Sequence, residues 1–347
     1  MRIDTRLSER VRKINPSSTL AITTKAKKLK AEGKDVVSFA AGEPDFDTPD
    51  FIKDAAIEAI KAGFTKYTPT TGIPELKKNI CDKFKKDNSL EYAPNQIVVS
   101  CGAKHSIFNA LFVLLNPGDE TLIPSPYWVS YPEMAHLCEA KPRIINTRPE
   151  NNFKMTPEEL QKHITSKTKV LILNSPSNPT GCVYTLEELR QIAKICVARR
   201  IFVISDEIYE KLIYDNLKHV SIASLDKDIY GLTITVNGVS KSFSMTGWRI
   251  GYLAGPADIV EAISKLQDHS TSNPASISQK AAAAALSASD EFSGAICREF
   301  QKRRDYIIGR LKDIKKMSFI IPEGAFYVFC DISKTGLDSL AFSGRLL

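Results

Sequence analysis

The sequence predicts an α/β fold built on a large, doubly wound and mostly parallel sheet. Two observations carry this prediction. From residue 75 onward, short apolar runs alternate with helical stretches, the pattern of βαβ units. Segments rich in Gly, Pro and Asn follow directly on several of those runs, where a doubly wound sheet keeps its ligand sites. With 347 residues, the chain can form one large core and a smaller second unit.

The elements follow in order. Ser17-Ser18-Thr19 is a capping signal for a helix over Leu20–Leu29. Val36–Ala41 reads as a short strand ending in Gly42-Glu43-Pro44-Asp45. Pro44 and Pro49 then interrupt regular structure before a helix over Phe51–Ala62. A helix over Glu75–Lys86 leads to a strand over Gln96–Ser100 and a helix over Lys104–Leu115. Strands follow at Thr121–Pro124, Arg143–Asn146, Val170–Asn174 and Ile201–Ser205. Helices at Tyr131–Cys138, Pro157–His163 and Leu186–Arg199 separate them. Two further apolar runs, Leu232–Val236 and Ile250–Ala254, flank a polar segment, and Pro256 opens a helix reaching Gln267. The alanine-rich run Gln279–Leu286 precedes a charged helix over Asp290–Lys315, which reads as a connector to a second domain. A strand pair over 317–332 surrounds Pro322-Glu323-Gly324, and a helix runs over Leu337–Leu347. The expected division is an arm with part of the small domain (1–44), a large domain (45–285), and a connector with the rest of the small domain (286–347). Leu347 falls inside a helical pattern with no capping residue behind it, so the small domain is expected to be incomplete.

Composition narrows the function classes. Hydrophobic content of 43% and charged content of 25% are those of an ordinary globular chain. The net charge of +7 is spread among acids and not gathered into a basic stripe with aromatics, which argues against nucleic acid and suits small anionic ligands. The seven cysteines are odd in number, widely spaced and without a C-x-x-C, so free thiols in a reducing, cytoplasmic compartment are expected. The five histidines lack metal-ligand spacing, and no metal is expected. No apolar run is long enough to span a membrane, and, with no cationic stretch followed by an apolar run in the first residues, no secretory leader is expected.

The chemistry concentrates in a few segments. Ser240-Lys241-Ser242-Phe243-Ser244-Met245-Thr246-Gly247-Trp248-Arg249 places a lysine eight residues before an arginine. A lysine in a dry pocket can lose its proton and form a Schiff base with an aldehyde, and an arginine can clamp a phosphate. Aldehyde plus phosphate points to pyridoxal phosphate. Cys101-Gly102-Ala103-Lys104 opens a helix after a strand, so its free N–H groups can hold a phosphate; the same junction also occurs as plain packing. Asn174-Ser175-Pro176-Ser177-Asn178-Pro179-Thr180-Gly181 ends a strand and aims the Asn178 amide, although a rigid turn explains it equally well. In Ser205-Asp206-Glu207-Ile208-Tyr209, Asp206 can keep a pyridine nitrogen protonated and Tyr209 can bind a phenolic oxygen; a helix N-cap is the other reading of Asp206. Trp128 can stack on a flat ring or pack in the core.

Taken jointly, these segments resemble the fold-type I pyridoxal phosphate enzymes, and within them the class I aminotransferases of the aspartate aminotransferase Ib subgroup. The resemblance rests on A-G-E-P-D-F-D-T-P (41–49), K-Y-T-P-T-T-G-I-P-E-L (66–76), P-Y-W-V-S-Y-P-E-M (126–134), N-S-P-S-N-P-T-G (174–181), S-D-E-I-Y-E (205–210) and N-G-V-S-K-S-F-S-M-T-G-W-R-I-G-Y (237–252). It implies a large pyridoxal phosphate domain and a smaller α/β domain drawn from both termini. It implies that Lys241 carries the cofactor and shuttles the proton, that Asp206 holds the pyridine N–H, and that Asn178 and Tyr209 bind the ring oxygen. Trp128 would stack on the ring. Arg249, Gly102, Ala103, Lys104 and Ser240 would bind the phosphate. Tyr67 would reach the phosphate of the partner subunit in a homodimer. Gly42, Trp128 and Asn178 would line the substrate, and Lys104 would take the distal carboxylate of aspartate or glutamate.

Two departures qualify this. The family's R-[IL]-S-[YF]-A segment, whose arginine clamps the substrate α-carboxylate, does not occur in these residues. Asn15 stands where many prephenate-using relatives have lysine. The implied function is transfer of an amino group from aspartate or glutamate to 2-oxoglutarate or oxaloacetate. The alternatives are a broader aminotransferase that also uses prephenate or aromatic oxo acids, and a shortened pyridoxal phosphate-binding form with little activity. A lyase or synthase acting at Cβ or Cγ, and a non-enzymatic sensing domain, are rivals from other classes. Ahead of Ala41 there are only 40 residues for the helix-turn-helix that a regulator needs.

Overall fold

The computed structural model describes residues 6–39 and 42–347. Its main sheet has seven strands: β1 (Ile97–Ser100), β2 (Glu120–Ser125), β3 (Lys141–Asn146), β4 (Thr168–Asn174), β5 (Phe202–Asp206), β6 (Thr233–Gly238) and β7 (Gly251–Ala254). Their spatial order is β1-β7-β6-β5-β4-β2-β3. Strands β3, β2, β4, β5 and β6 are parallel, and β7 runs antiparallel to both β6 and β1. The expectation of a mostly parallel, doubly wound α/β sheet is met.

Thirteen helices are assigned among the described residues. Before β1 come α1 (Glu9–Arg12), α2 (Ser18–Ala31), α3 (Asp50–Lys61) and α4 (Pro74–Asn88). Between the strands lie α5 (Ala103–Leu114), α6 (Ser130–Leu137), α7 (Pro157–His163), α8 (Leu186–Arg199) and α9 (Lys227–Tyr230). After β7 come α10 (Ala257–Asp268), α11 (Ser276–Ser287), α12 (Glu291–Lys312) and α13 (Ser339–Leu346). The sequence places several starts directly. Thr185 Oγ1 accepts from Glu188 N at 3.3 Å while Glu188 Oε2 accepts from Thr185 N at 2.7 Å, a reciprocal cap that launches α8.

Strand parity explains the layering. Alternate side chains of a strand face opposite sides of the sheet. On β4, Val170 and Ile172 pack into the layer with α5 and α10, while Leu171 and Leu173 pack into the layer with α8. Asn174 has the parity of Ile172, and Asp206 on β5 has the parity of Ile204, which packs in that same α5 layer. Both therefore leave the sheet on one side, next to the start of α5.

Where the chain returns after α12, two short strands pair antiparallel, β8 (Ser318–Phe319) with β9 (Cys330–Asp331). The intervening segment docks onto the loop after β4. Glu323 N and Gly324 N both donate to Gly181 O at 2.9 Å, and Val183 N donates to Glu323 Oε2 at 3.0 Å. A Cβ on Gly181 (φ +70°) would sit 2.4 Å from Pro322 Cβ, so this close approach requires glycine. One expected strand is absent where it can be seen. Residues 36–39 have no regular structure, and Ala41, its expected end, lies outside the described residues. Phe39 is 85% exposed there, and among the described residues no strand pairs with this stretch.

Candidate active site

The carboxyl ends of β4, β5 and β6 open into a cavity of about 630 Å³. Ala103, Lys104, Trp128, Asn178, Asp206, Tyr209, Ser240, Lys241, Arg249 and Gly42 line it, so nearly every residue singled out from the sequence converges there. Gly102 lies directly behind Arg249. Tyr67 does not join them: it is 92% exposed and does not line the cavity.

Lys241 follows β6 and reaches the cavity floor, where its Nζ donates to Gly42 O at 2.6 Å. Burial, helped by the charge of Arg249, lowers its pKa to about 8 against the pull of Glu43 and Asp206. Asp206 sits at the end of β5 and is 4% exposed. Burial raises its pKa to about 6, although Tyr131 and the Ile208 amide stabilise the anion. Tyr131 Oη donates to Asp206 Oδ2 at 2.6 Å, and Ile208 N donates to Oδ1 at 3.3 Å. The cavity thus holds an amine that loses its proton readily and a carboxylate in a dry seat.

Asn178 is placed by a relay between neighbouring strands. Asn174 Oδ1 accepts from Asn178 N at 2.7 Å, and Asn174 Nδ2 donates to Asp206 O at 2.9 Å. Registry of Asn174 with Asp206 across β4 and β5 makes this reach possible. The Tyr209 hydroxyl lies 2.6 Å from that of Tyr327, to which Asn178 Nδ2 also donates at 3.4 Å. Burial raises the pKa of Tyr327 to about 12 and holds Tyr209 well above the ordinary phenol value.

At the other end of the cavity, Arg249 adopts a left-handed backbone (φ 56°). Its Nη1 donates to Thr246 O at 3.0 Å and its Nη2 to Cys101 O at 3.3 Å, which lays the guanidinium across Gly102. A Cβ on Gly102 (φ +88°) would lie 2.4 Å from Arg249 Nη2. The first amides of α5, which have no intrahelical acceptor, start at this point. Together they form a cradle for a compact anion. Lys104 stands at the rim with its Nζ 4.8 Å from the Trp128 ring centre, and burial followed by the charge of Arg249 lowers its pKa. Trp128 meets Tyr131 edge-on at 5.4 Å between ring centres.

Three residues that the sequence left unmarked belong to this site: Tyr131, Asn174 and Tyr327. Tyr131 reads in the sequence as the start of a helix and as part of the 126–134 segment, with no role of its own assigned. Tyr327 is carried in by the docking of the 322–327 segment, which no local pattern announces. Asn174 was legible as the end of a strand, and its relay role depends on the register with β5.

The model of the family described as aminotransferase class I and II matches residues 34–347. The chain is 51% identical over 346 residues to a protein named aspartate aminotransferase from Bacillus sp. (strain YM-2), covering 98% of this chain and 88% of that one. It is 48% identical over 328 residues to the aspartate/prephenate aminotransferase of Cereibacter sphaeroides, covering 94% and 82% respectively. The crystal structure of the aspartate aminotransferase from Rhizobium meliloti superposes with a TM-score of 0.92 at 42% identity, covering 95% of this chain and 83% of that chain. The Thermus thermophilus aspartate aminotransferase with maleate gives a TM-score of 0.91 at 41% identity, covering 96% and 86%.

Proposed function

The chain belongs to the class I and II aminotransferase family, which is pyridoxal phosphate-dependent, and on that premise we propose that it moves the amino group of L-aspartate or L-glutamate to 2-oxoglutarate or oxaloacetate. The observation that carries this reading is a single cavity with the Lys241 amine, the dry Asp206 carboxylate and the Arg249 cradle all on its wall. These residues fit pyridoxal phosphate. The cradle over Gly102 suits its phosphate, Asp206 suits its ring nitrogen, and Asn178 with Tyr209 suits its ring oxygen. Pyridoxal phosphate supplies an aldehyde that captures amines and a ring that accepts an electron pair.

The chain's own residues do the rest. Lys241 Nζ would hold the aldehyde and serve as the base that takes up the substrate Cα proton and hands it on. In the cofactor-free chain its pKa of about 8 leaves this amine not locked as a cation and ready to capture an aldehyde. Asp206, braced by Tyr131, would keep the ring nitrogen protonated. Trp128, on the cavity wall, would cover one ring face and exclude water. Gly42 offers a backbone carbonyl to the amine before the substrate arrives.

Lys104 is the residue proposed to select dicarboxylates, as a cation on the cavity wall beside Trp128. Support comes from the Thermus thermophilus neighbour, whose structure carries maleate, a four-carbon dicarboxylate. Prephenate fits less well, because Asn15 is occupied with α6. Its backbone N and Nδ2 donate to Glu133 Oε2 and Oε1 at 3.1 and 3.2 Å, and it does not line the cavity. A homodimer is part of the proposal, with the exposed Tyr67 reaching the partner subunit's phosphate. A cytoplasmic setting fits the seven free thiols, and among the described residues no helix is long and apolar enough to cross a membrane.

The test is a half-reaction. The chain loaded with pyridoxal phosphate is mixed separately with L-aspartate, L-glutamate and L-phenylalanine, and its absorbance is followed. Conversion to the pyridoxamine form by the two acidic substrates, and weakly by phenylalanine, is expected. A cofactor spectrum that none of them changes would overturn the reading. A second measurement addresses the cradle. Gly102→Ala adds a methyl group where the guanidinium lies and forces alanine to a positive φ. Loss of one or two charge-assisted hydrogen bonds should weaken pyridoxal phosphate binding by about 10- to 100-fold. A fluorescence titration with unchanged affinity would show that the phosphate sits elsewhere.

A further inference from the structure

Behind the cavity, on the opposite face of β5, lies a buried charge cluster that the proposed reaction does not use. Consecutive strand residues point to opposite faces, so Ser205 faces away from Asp206, and Glu207, just past the strand end, joins Ser205 on that side. Glu207 is 1% exposed. Its Oε1 accepts from Ser205 Oγ and Ser221 Oγ, both at 2.7 Å. Its Oε2 accepts from Asn88 Nδ2 at 3.2 Å and from His219 Nε2 at 2.9 Å. Nearby, Glu210 Oε2 accepts from Asn88 Nδ2 at 2.7 Å, and Oε1 pairs with the Lys83 ammonium.

The charges decide what this cluster does. Glu207, Glu210 and His219 bring ligand atoms within 4.8 Å of one another, a spacing that could hold a metal. Lys83 already places its ammonium against Glu210, and 3.9 Å from Asp87, where a metal would have to sit. On α4, Asp87 is answered by Lys211 at 3.0 Å, which also holds Asp290 at 3.1 Å, and Asp290 is answered in turn by Lys86 at 2.5 Å. Tyr252, packed against the same side, is a neutral phenol whose pKa burial pushes well up. What remains is two carboxylates against one lysine and one histidine. With a neutral His219 the cluster keeps one net negative charge immediately behind Asp206; with an imidazolium it is neutral.

We propose that His219 is a positioning residue for Asp206: as an imidazolium it cancels the charge of Glu207, so that Asp206, the preceding residue on β5, stays anionic in its dry seat. The inference rests on the pyridoxal phosphate reading, because an anionic Asp206 matters only to a ring nitrogen that must hold a proton. Two neighbouring buried carboxylates repel, and one of them then tends to keep a proton. Glu207 is among the groups that raise the pKa of Asp206, after burial itself. Burial draws the His219 pKa down, but Glu207 and Glu210 outweigh it, and it lies above the ordinary histidine value. His219 Nδ1 has no partner among the described residues, so charge and not a second hydrogen bond sets its state.

The test is NMR of the full chain carrying carboxyl-labelled aspartate and ring-labelled histidine, with Asp206 assigned from the Asp206→Asn spectrum. His219 is expected to be an imidazolium at pH 7. In His219→Gln, which retains a donor for Glu207 but no charge, Asp206 should hold its proton about tenfold more tightly. The double variant Glu207→Gln with His219→Gln should return it close to the unmodified value, a rescue that a purely structural role for His219 does not give. A neutral His219 at pH 7 in the unmodified chain would overturn the proposal, and that measurement needs no substitution to fold. An unmoved Asp206 midpoint in folded His219→Gln would overturn it as well. Pyridoxal phosphate binding to the unmodified chain, read by absorbance, is a separate arm. Its failure would remove the functional reading, whereas binding with an unmoved Asp206 would remove only the role of His219.

Discussion

Replacing Lys241 with alanine is expected to abolish transamination, with a fall in turnover of at least about 10⁴-fold. On the proposed mechanism two contributions are lost together: the amine that captures the cofactor aldehyde and the base that moves the Cα proton. The physical basis is the state of that amine. With a pKa of about 8 in place of the ordinary 10.5, about half of it is neutral at pH 8, against roughly 0.3% for an unperturbed lysine. In the cofactor-free chain, its reactivity towards an aldehyde probe should therefore climb through pH 8 and level off above it. The linkage has a definite sign. A lysine whose pKa is lowered by folding contributes stability that is present above pH 10.5 and lost as pH falls through about 8. The cofactor-free chain should accordingly gain stability across that window. Turnover of the alanine variant within tenfold of the unmodified chain would remove Lys241 from the reaction. A reactivity midpoint near 10.5 would show that the amine is not desolvated.

Asp206→Asn should move activity and stability in opposite directions. The asparagine keeps the shape and an acceptor for the Tyr131 hydroxyl, but it cannot hold a proton on the ring nitrogen. Turnover should drop by about 10²- to 10³-fold, the scale of losing one preorganised electrostatic partner in a dry site. In the cofactor-free chain the same change relieves a cost. A carboxylate whose pKa is raised by folding contributes stability that is fully present below its unfolded value near 3.8 and lost as pH rises through about 6. At pH 7 the unmodified chain carries that penalty, and the asparagine variant does not. The variant should be more stable by on the order of 1–3 kcal/mol at pH 7, with the gain disappearing below pH 4. Denaturant unfolding at both pH values measures it. Equal stability at pH 7 would show that Asp206 is not held in a dry seat, and unchanged turnover would show that the ring charge is not needed.

Much of the site was legible because its signals are local. A strand end, a helix start and a glycine between them are encoded within a few consecutive residues. A parallel sheet then collects the carboxyl ends of its strands along one edge. Asn178, Asp206 and Lys241 could thus be assigned to one cavity from three separate segments. The same logic fails for Val36–Ala41. That stretch has strand-like residues, but residues 36–39 meet no neighbouring strand, and apolar character alone does not make a ladder.

By itself, then, the sequence determined the α/β class, the order of most elements and the identity of the amine, carboxylate, amide and guanidinium that face the cavity. The tertiary structure alone decided how those groups are tuned. The Tyr131 hydroxyl reaches Asp206 across 75 residues, the Tyr327 hydroxyl reaches Tyr209 across 118, and the Lys241 amine reaches the Gly42 carbonyl across 199. Tyr67, as prominent as any of them in its segment, is 92% exposed and outside this chain's own cavity, as a residue proposed to reach a partner subunit has to be. The reason is the range over which each kind of information acts. Propensity, capping and strand parity act within about one element and can be read along the chain. Desolvation, charge pairing and hydrogen bonding between side chains depend on which elements pack together, and a pKa is set by that packing and not by the residue's neighbours in sequence.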